Sequence, residues 1–157
     1  MEVERIVEFD DAFANRIIEL MDLIEDKELN RRVVVDHLQK STSSVGLFGI
    51  FDDEDELQGF LYFEAPEPAY AGRGYLYIAA INPSVPRKYS SMALEMGKEW
   101  LMDKGATYFW TWTPRSPEAL NRVYGLEVVE ERQMICPLVG DDYLKIPLDR
   151  RFVNVAV

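Results

Sequence analysis

The amino-acid sequence predicts a mixed α/β domain: a mostly antiparallel sheet with one parallel pair of strands, and about four helices. Three observations predict it. Short apolar runs rich in β-branched and aromatic residues alternate with stretches of helical periodicity. Two such runs, VGLFGIF and LQGFLYFEA, are separated only by the acidic stretch DDEDE, the pattern of two antiparallel strands and their loop. Further on, GYLYIAAI, a helical stretch and ATYFWTWT follow one another as strand, crossover helix and strand, an order that requires a parallel pair with a right-handed connection.

The elements follow in order. EVERIVE carries a weak strand signal in Val3, Ile6 and Val7. Asp10 and Asp11 then offer caps for a helix on which Phe13, Ile17, Leu20, Met21 and Ile24 recur at helical spacing. A second helix is expected from Leu29 to Lys40, with Leu29, Val33, Val34 and Leu38 on one side. After the acidic hairpin, PEPAYAGRG is a turn-rich connection, and GYLYIAAI reads as a strand covered on both faces. A helix from about Ser90 to Lys104 repeats Met92, Met96 and Trp100 every four residues, and Gly105 stops it. SPEALNRVYG is a short helix capped by Ser116 with Pro117 in its first turn. LEVVEERQMICPL and DYLKIPL read as strands around a turn at Gly140 and Asp141. Residues 1–148 are taken as one domain and 149–157 as a tail, for which the sequence allows an edge strand, a partner-binding segment or an unstructured end.

Composition excludes several functions. With 157 residues the chain can bury a core of its own, and 48% hydrophobic with 29% charged residues is ordinary for a globular protein. No apolar run is long enough to span a bilayer, and the acidic MEVERIVEFDD resembles no signal peptide, so no membrane association and a cytoplasmic location are expected. A net charge of −11 argues against nucleic acid as a partner and favours a cationic one. Cys136 and His37 are the only cysteine and histidine, so no thiol or imidazole metal cluster is expected. A Ser-His-Asp arrangement would need His37, which lies on what reads as an ordinary helix face.

The order of elements, and the stretches IVEFDDAFANRIIELM, FLYFEA, GYLYIAAINPSVP and SPEALNRVYGLEVVEE, resemble the GCN5-related N-acetyltransferase (GNAT) superfamily from Val3 to about Leu148. The resemblance implies a GNAT-like fold, its parallel pair central and splayed, and acetyl-CoA as acyl donor. It further implies direct transfer, in a ternary complex, to a small-molecule or protein amine. The superfamily grips the pyrophosphate with an Arg/Gln-x-x-Gly-x-Gly/Ala loop. Here the matching register is Lys88-Tyr89-Ser90-Ser91-Met92-Ala93, chosen because it buries Met92, Met96 and Trp100. Lysine replaces the usual Arg or Gln, serine replaces the first glycine, and Ser91→Gly is expected to tighten coenzyme A.

Acyl transfer from a thioester to an amine needs a neutral nitrogen, a donor to the developing oxyanion and a proton for the leaving thiolate. The resemblance assigns the oxyanion donors to backbone amides around Ala80 and Ile81. It assigns the proton donor to Tyr124, which stands one residue beyond the usual spacing. Glu64 is the candidate base, with Tyr75 or Tyr77 lining the acceptor side; Trp110 and Trp112, alternating on one strand face, are a candidate pocket wall. The alternative is a catalytically inert protein of the same fold, serving interaction or structure as in GNAT-like virion proteins of short-tailed phages.

Overall fold

The computed structural model describes residues 1–24, 26, 28–111, 117–129 and 154–156. The chain divides into two compact units, residues 1–107 and 108–157. In the first, β1 (Glu2–Ile6), β2 (Val45–Phe51), β3 (Leu57–Glu64) and β4 (Arg73–Ile81) form an antiparallel sheet in that order. Between β1 and β2 run α1 (Asp11–Met21) and α2 (Arg31–Lys40), and α3 (Arg87–Asp103) follows β4.

Side-chain caps start α1 and α2. The Asp10 carboxylate accepts from the Phe13 amide at 2.9 Å, and the Asn30 side chain accepts from the Val33 amide at 3.2 Å. Arg31 donates to the carbonyls of Met21 and Ile24, which lie at the C-terminal end of α1, and so ties the two helices at their junction. On α2 the apolar face is not the expected one. Val35 is buried while Val33 is 59% exposed, because a run of three valines leaves the phase of the helix to tertiary packing.

The sheet buries both faces. Val45, Leu47, Phe60 and Tyr62 join Ile17, Leu20, Met21, Val35 and Leu38 in one core. On the opposite face Phe48 meets Phe63 and Trp100 edge-on. Here α3 lies against the sheet so closely that a Cβ added at Gly97 would sit 2.1 Å from the Phe63 ring. The acidic stretch is the β2–β3 turn, where Asp52 accepts from the amides of Glu54 and Glu56 and from Gln58. α3 ends where Gly105 adopts φ +92°, as its position in the sequence predicts.

One irregularity in β4 matters for function. Phe63 pairs with Leu76 and Tyr62 with Ile78, so Tyr77 is an extra residue, a β-bulge. A shift by one residue exchanges the faces of a strand. Before the bulge Gly74 faces α3, with Leu101 against it; beyond it, Ile78 and Ala80 join the core under α1 and α2. β4 is therefore not covered on both faces throughout, and Tyr77 and Ala79 are exposed.

The second unit contains β5 (Tyr108–Thr111), α4 (Pro117–Tyr124), β6 (Glu127–Val129) and β7 (Asn154–Ala156). β7 pairs antiparallel with both β5 and β6, so the end of the chain forms an inner strand of this unit, neither an edge strand nor a loose end. Asn121 at the end of α4 donates to the Leu126 carbonyl at 2.8 Å and fixes the turn into β6. Trp112, Ser116, Cys136 and the turn at Gly140 and Asp141 lie outside the described residues. Of the two strands expected to run parallel, β4 belongs to the first unit and β5 to the second. Among the described residues no helix is long and apolar enough to cross a membrane, and no group of three acidic, His or Cys side chains could hold a metal ion.

Candidate functional site

Two sets of chemistry-bearing residues lie in the first unit: the N-terminus of α3, and a polar cluster where α2 meets the ends of β3 and β4.

α3 begins earlier than the sequence suggests. Pro86 is its N-cap, with φ −60°, and the helix runs from Arg87 rather than from Ser90. Residues 88–93 are therefore helix and not a loop. Only the first amides of a helix lack an intrahelical acceptor; proline has none, and the Tyr89 amide already donates to the Pro86 carbonyl at 3.0 Å. That leaves the amides of Arg87 and Lys88 pointing out of the helix end, while those of Ser91, Met92 and Ala93 are committed to the helix ladder. The Ser90 side chain is buried, and its hydroxyl donates to the Arg87 carbonyl at 2.8 Å.

The helix phase also corrects the register argument. Met92 is 48% exposed, and the buried face is Ser90, Ala93, Leu94, Gly97, Trp100 and Leu101. Small residues line that face because the helix packs so tightly on Phe63, and no four-residue repeat of bulky side chains fits there. Lys88 is exposed, its ammonium 4.9 Å from the centre of the half-buried Tyr89 ring. The first turn of α3 contains no acidic residue and no side-chain cap, so positive charge from Arg87, Lys88 and the helix dipole accumulates at one end.

The two amides expected to face an oxyanion separate. The Asn82 amide donates to the Gln58 carbonyl at 2.9 Å, so alternation along the strand turns the Ala80 amide toward Phe60 on β3 and spends it in the ladder. Ile81 faces Gly59 so closely that an added Cβ on the glycine would lie 3.0 Å from the Ile81 Cα, the mark of a non-hydrogen-bonded pair. The Ile81 amide therefore points away from β3. Ala80 leaves the set and Ile81 stays.

The polar cluster is built around Glu64. Its Oε1 lies 2.5 Å from His37 Nε2, and the Tyr62 hydroxyl donates to the same oxygen. His37 Nδ1 is 3.2 Å from the Ser41 hydroxyl at the end of α2. Tyr62 stacks on Tyr77 with ring centres 5.7 Å apart, and Tyr75 adjoins Tyr77 at 5.5 Å. The bulge makes this possible by bringing Tyr77 onto the face that carries Tyr62. Burial pushes the phenol of Tyr62 far up from its ordinary range, helped by the bond to Glu64. Tyr77 is pushed up by burial first and then by the charges of Glu64, Tyr75 and Glu67. Glu64 is 16% exposed, and among the described residues it pairs with no lysine or arginine; His37, 44% exposed, is its one basic partner there.

The structure thus places Glu64, Tyr75 and Tyr77 near one another, with His37, Ser41 and Tyr62 beside them. Sequence reasoning passed over His37 because its helix face is unremarkable, and its partner stands 27 positions further along the chain. Its being the single histidine was the signal available. Tyr124 lies half-buried at the end of α4 in the second unit, and Trp110 stands on β5 there.

No family model and no curated protein matches this chain. Solved structures do. An aminoglycoside 6'-acetyltransferase type Ii aligns over 100% of this chain and 96% of its own, with TM-score 0.68 and 12% identity. A structure of the NatC complex bound to Gag peptide and CoA aligns over 99% and 97%, with TM-score 0.67 and 14% identity. An acetyltransferase of the GNAT family from Streptococcus pneumoniae aligns over 99% and 96%, with TM-score 0.64 and 15% identity. At such identities the likeness is one of backbone architecture, and it is consistent: this chain has the GNAT fold.

Proposed function

We propose that this protein is an acyl-CoA-dependent N-acetyltransferase that moves an acetyl group directly to an amine in a ternary complex. The observation that carries this reading is the N-terminus of α3. In a chain of net charge −11, Arg87 and Lys88 stand exposed beside their own outward-pointing amides, with no acidic side chain in that turn. That arrangement suits a pyrophosphate, and the NatC complex of the same fold binds CoA. Arg87 and Lys88 would hold the phosphates, and bound acetyl-CoA supplies an activated thioester.

The amine attacks the thioester carbonyl, a C–N bond forms and the C–S bond breaks. The Ile81 amide, pointing away from β3, is the donor proposed for the oxyanion. Glu64, five positions along β3 from the partner of Ile81, is proposed to take the proton the amine releases by way of water. For the proton taken up by the departing thiolate, the resemblance nominates Tyr124. The inert alternative draws on the helical commitment of residues 91–93, which leaves fewer free amides than a glycine-rich loop offers.

The test is release of free thiol from acetyl-CoA by the purified protein in the presence of primary amines. Amine-dependent release, slowed by Glu64→Gln and by Tyr124→Phe, supports the reading. Absence of release with any amine tried, together with absence of acetyl-CoA binding, would support the inert alternative.

A further inference from the structure

The Glu64 cluster has the composition of a receptor for one class of ligand. A mostly buried carboxylate has no permanent cation beside it among the described residues. His37 and Tyr62 both bond to its Oε1, which fixes the carboxyl group from that side. The ring of Tyr77 is 48% exposed, Tyr75 leans against it, and Glu67 adds its charge to theirs. Aromatic faces present negative potential, so rings and carboxylates here carry the same sign. Arg73, the basic residue that begins β4, is turned to the Tyr70 ring, 4.6 Å from its centre.

We propose that Glu64, Tyr75 and Tyr77 form the binding site for the ammonium end of an unhindered primary alkylamine, with His37 and Tyr62 as positioning residues that hold the Glu64 carboxylate. This rests on the acetyltransferase reading and deepens it by giving the acceptor a class and a place. An alkylammonium matches the site in sign and donates N–H bonds to a carboxylate, while its methylene chain lies along the tyrosine rings. Aryl phosphates, carboxylates and neutral polyols lack that match. The proton lost before transfer passes to Glu64, whose partner His37 reaches solvent.

The single histidine makes the test direct, because one imidazole Cε1–H resonance reports on the cluster in a proton NMR spectrum of the full chain. Cadaverine is titrated against its neutral analogue 1,5-pentanediol, each with and without coenzyme A, whose missing acetyl group prevents turnover. The expected result is a saturable shift of the His37 resonance by cadaverine alone. Glu64→Gln should weaken the midpoint roughly tenfold, as for loss of one charge-assisted bond. Tyr77→Leu, which keeps apolar bulk at an exposed position, should weaken it about fivefold.

No saturable shift in either condition, an equal response to pentanediol, or an unchanged midpoint in Glu64→Gln would overturn the proposal. The outcomes also separate the two readings. Acetyl-CoA binding without a cadaverine response sinks the amine site alone, whereas a cadaverine response without acetyl-CoA binding leaves an amine receptor that transfers nothing.

Discussion

Tyr62 shows how one residue couples the core to the site. Its ring is buried among α1, α2 and the sheet, and its hydroxyl reaches Glu64. An unfolded tyrosine releases its proton near 10.0, while folded Tyr62 holds its proton well beyond that. Above pH 10 the folded state therefore binds more protons than the unfolded one, and stability falls as pH rises. Urea unfolding between pH 9 and 11, a range bracketing the ordinary tyrosine value, should show this slope, reduced in Tyr62→Phe; an identical slope in the variant would place its origin elsewhere. Gly97 gives a second prediction at the same scale. Alanine normally strengthens a helix by about 0.5–1 kcal/mol over glycine, but a Cβ 2.1 Å from Phe63 cannot fit without displacing the ring. Overpacking wins, and Gly97→Ala should lower stability by about 1–3 kcal/mol in denaturant titration. Neither Tyr62 nor Gly97 is conspicuous in the sequence, because each owes its importance to a neighbour on another element, Tyr77 on β4 and Phe63 on β3.

At the scale of elements, α3 and β4 decide what the site can do. α3 starts at Arg87 because Pro86, extended at ψ 139°, stands outside the helix as its N-cap and no residue from Arg87 to Tyr89 opposes helical geometry. Ser91 is then an interior helical residue, and the tightening expected of Ser91→Gly no longer follows. The prediction becomes a loss of about 0.5–1 kcal/mol in stability with acetyl-CoA affinity unchanged, measured by urea titration and calorimetry. A variant that binds coenzyme A more tightly would restore the loop interpretation. In α1, Asp10→Ala removes the bond to the Phe13 amide and should cost about 1 kcal/mol in the same titration. The strand β4 and its bulge illustrate the other limit of sequence reading. GYLYIAAI reads as a strand from its composition, yet nothing in it marks Tyr77 as the extra residue. The bulge is set by register against β3, and it determines which tyrosines share a face.

Across the whole molecule, the order of strands and helices was legible because each element carries its own local signal: periodicity, a cap, a stop. That order also sufficed for the resemblance to acetyltransferases, which solved structures of the same fold bear out at the level of architecture. Less legible were the contacts between distant segments. His37 with Glu64, the burial of Ser90 in place of Met92 and the separate directions of the Ala80 and Ile81 amides all depend on register and helix phase, which composition does not encode. The charge of −11 was visible from the start, but the standing of Arg87 and Lys88 at a helix end was not, because the sequence places that helix start near Ser90; it is the feature on which the proposed function turns. The most direct measurement is therefore calorimetric titration of acetyl-CoA into the full chain at modest salt, beside an Arg87→Glu, Lys88→Glu double variant. Saturable binding in the micromolar range, lost in a variant that still unfolds like the parent, is the predicted result. Absence of heat at millimolar ligand, or equal affinity in the variant, would contradict the account.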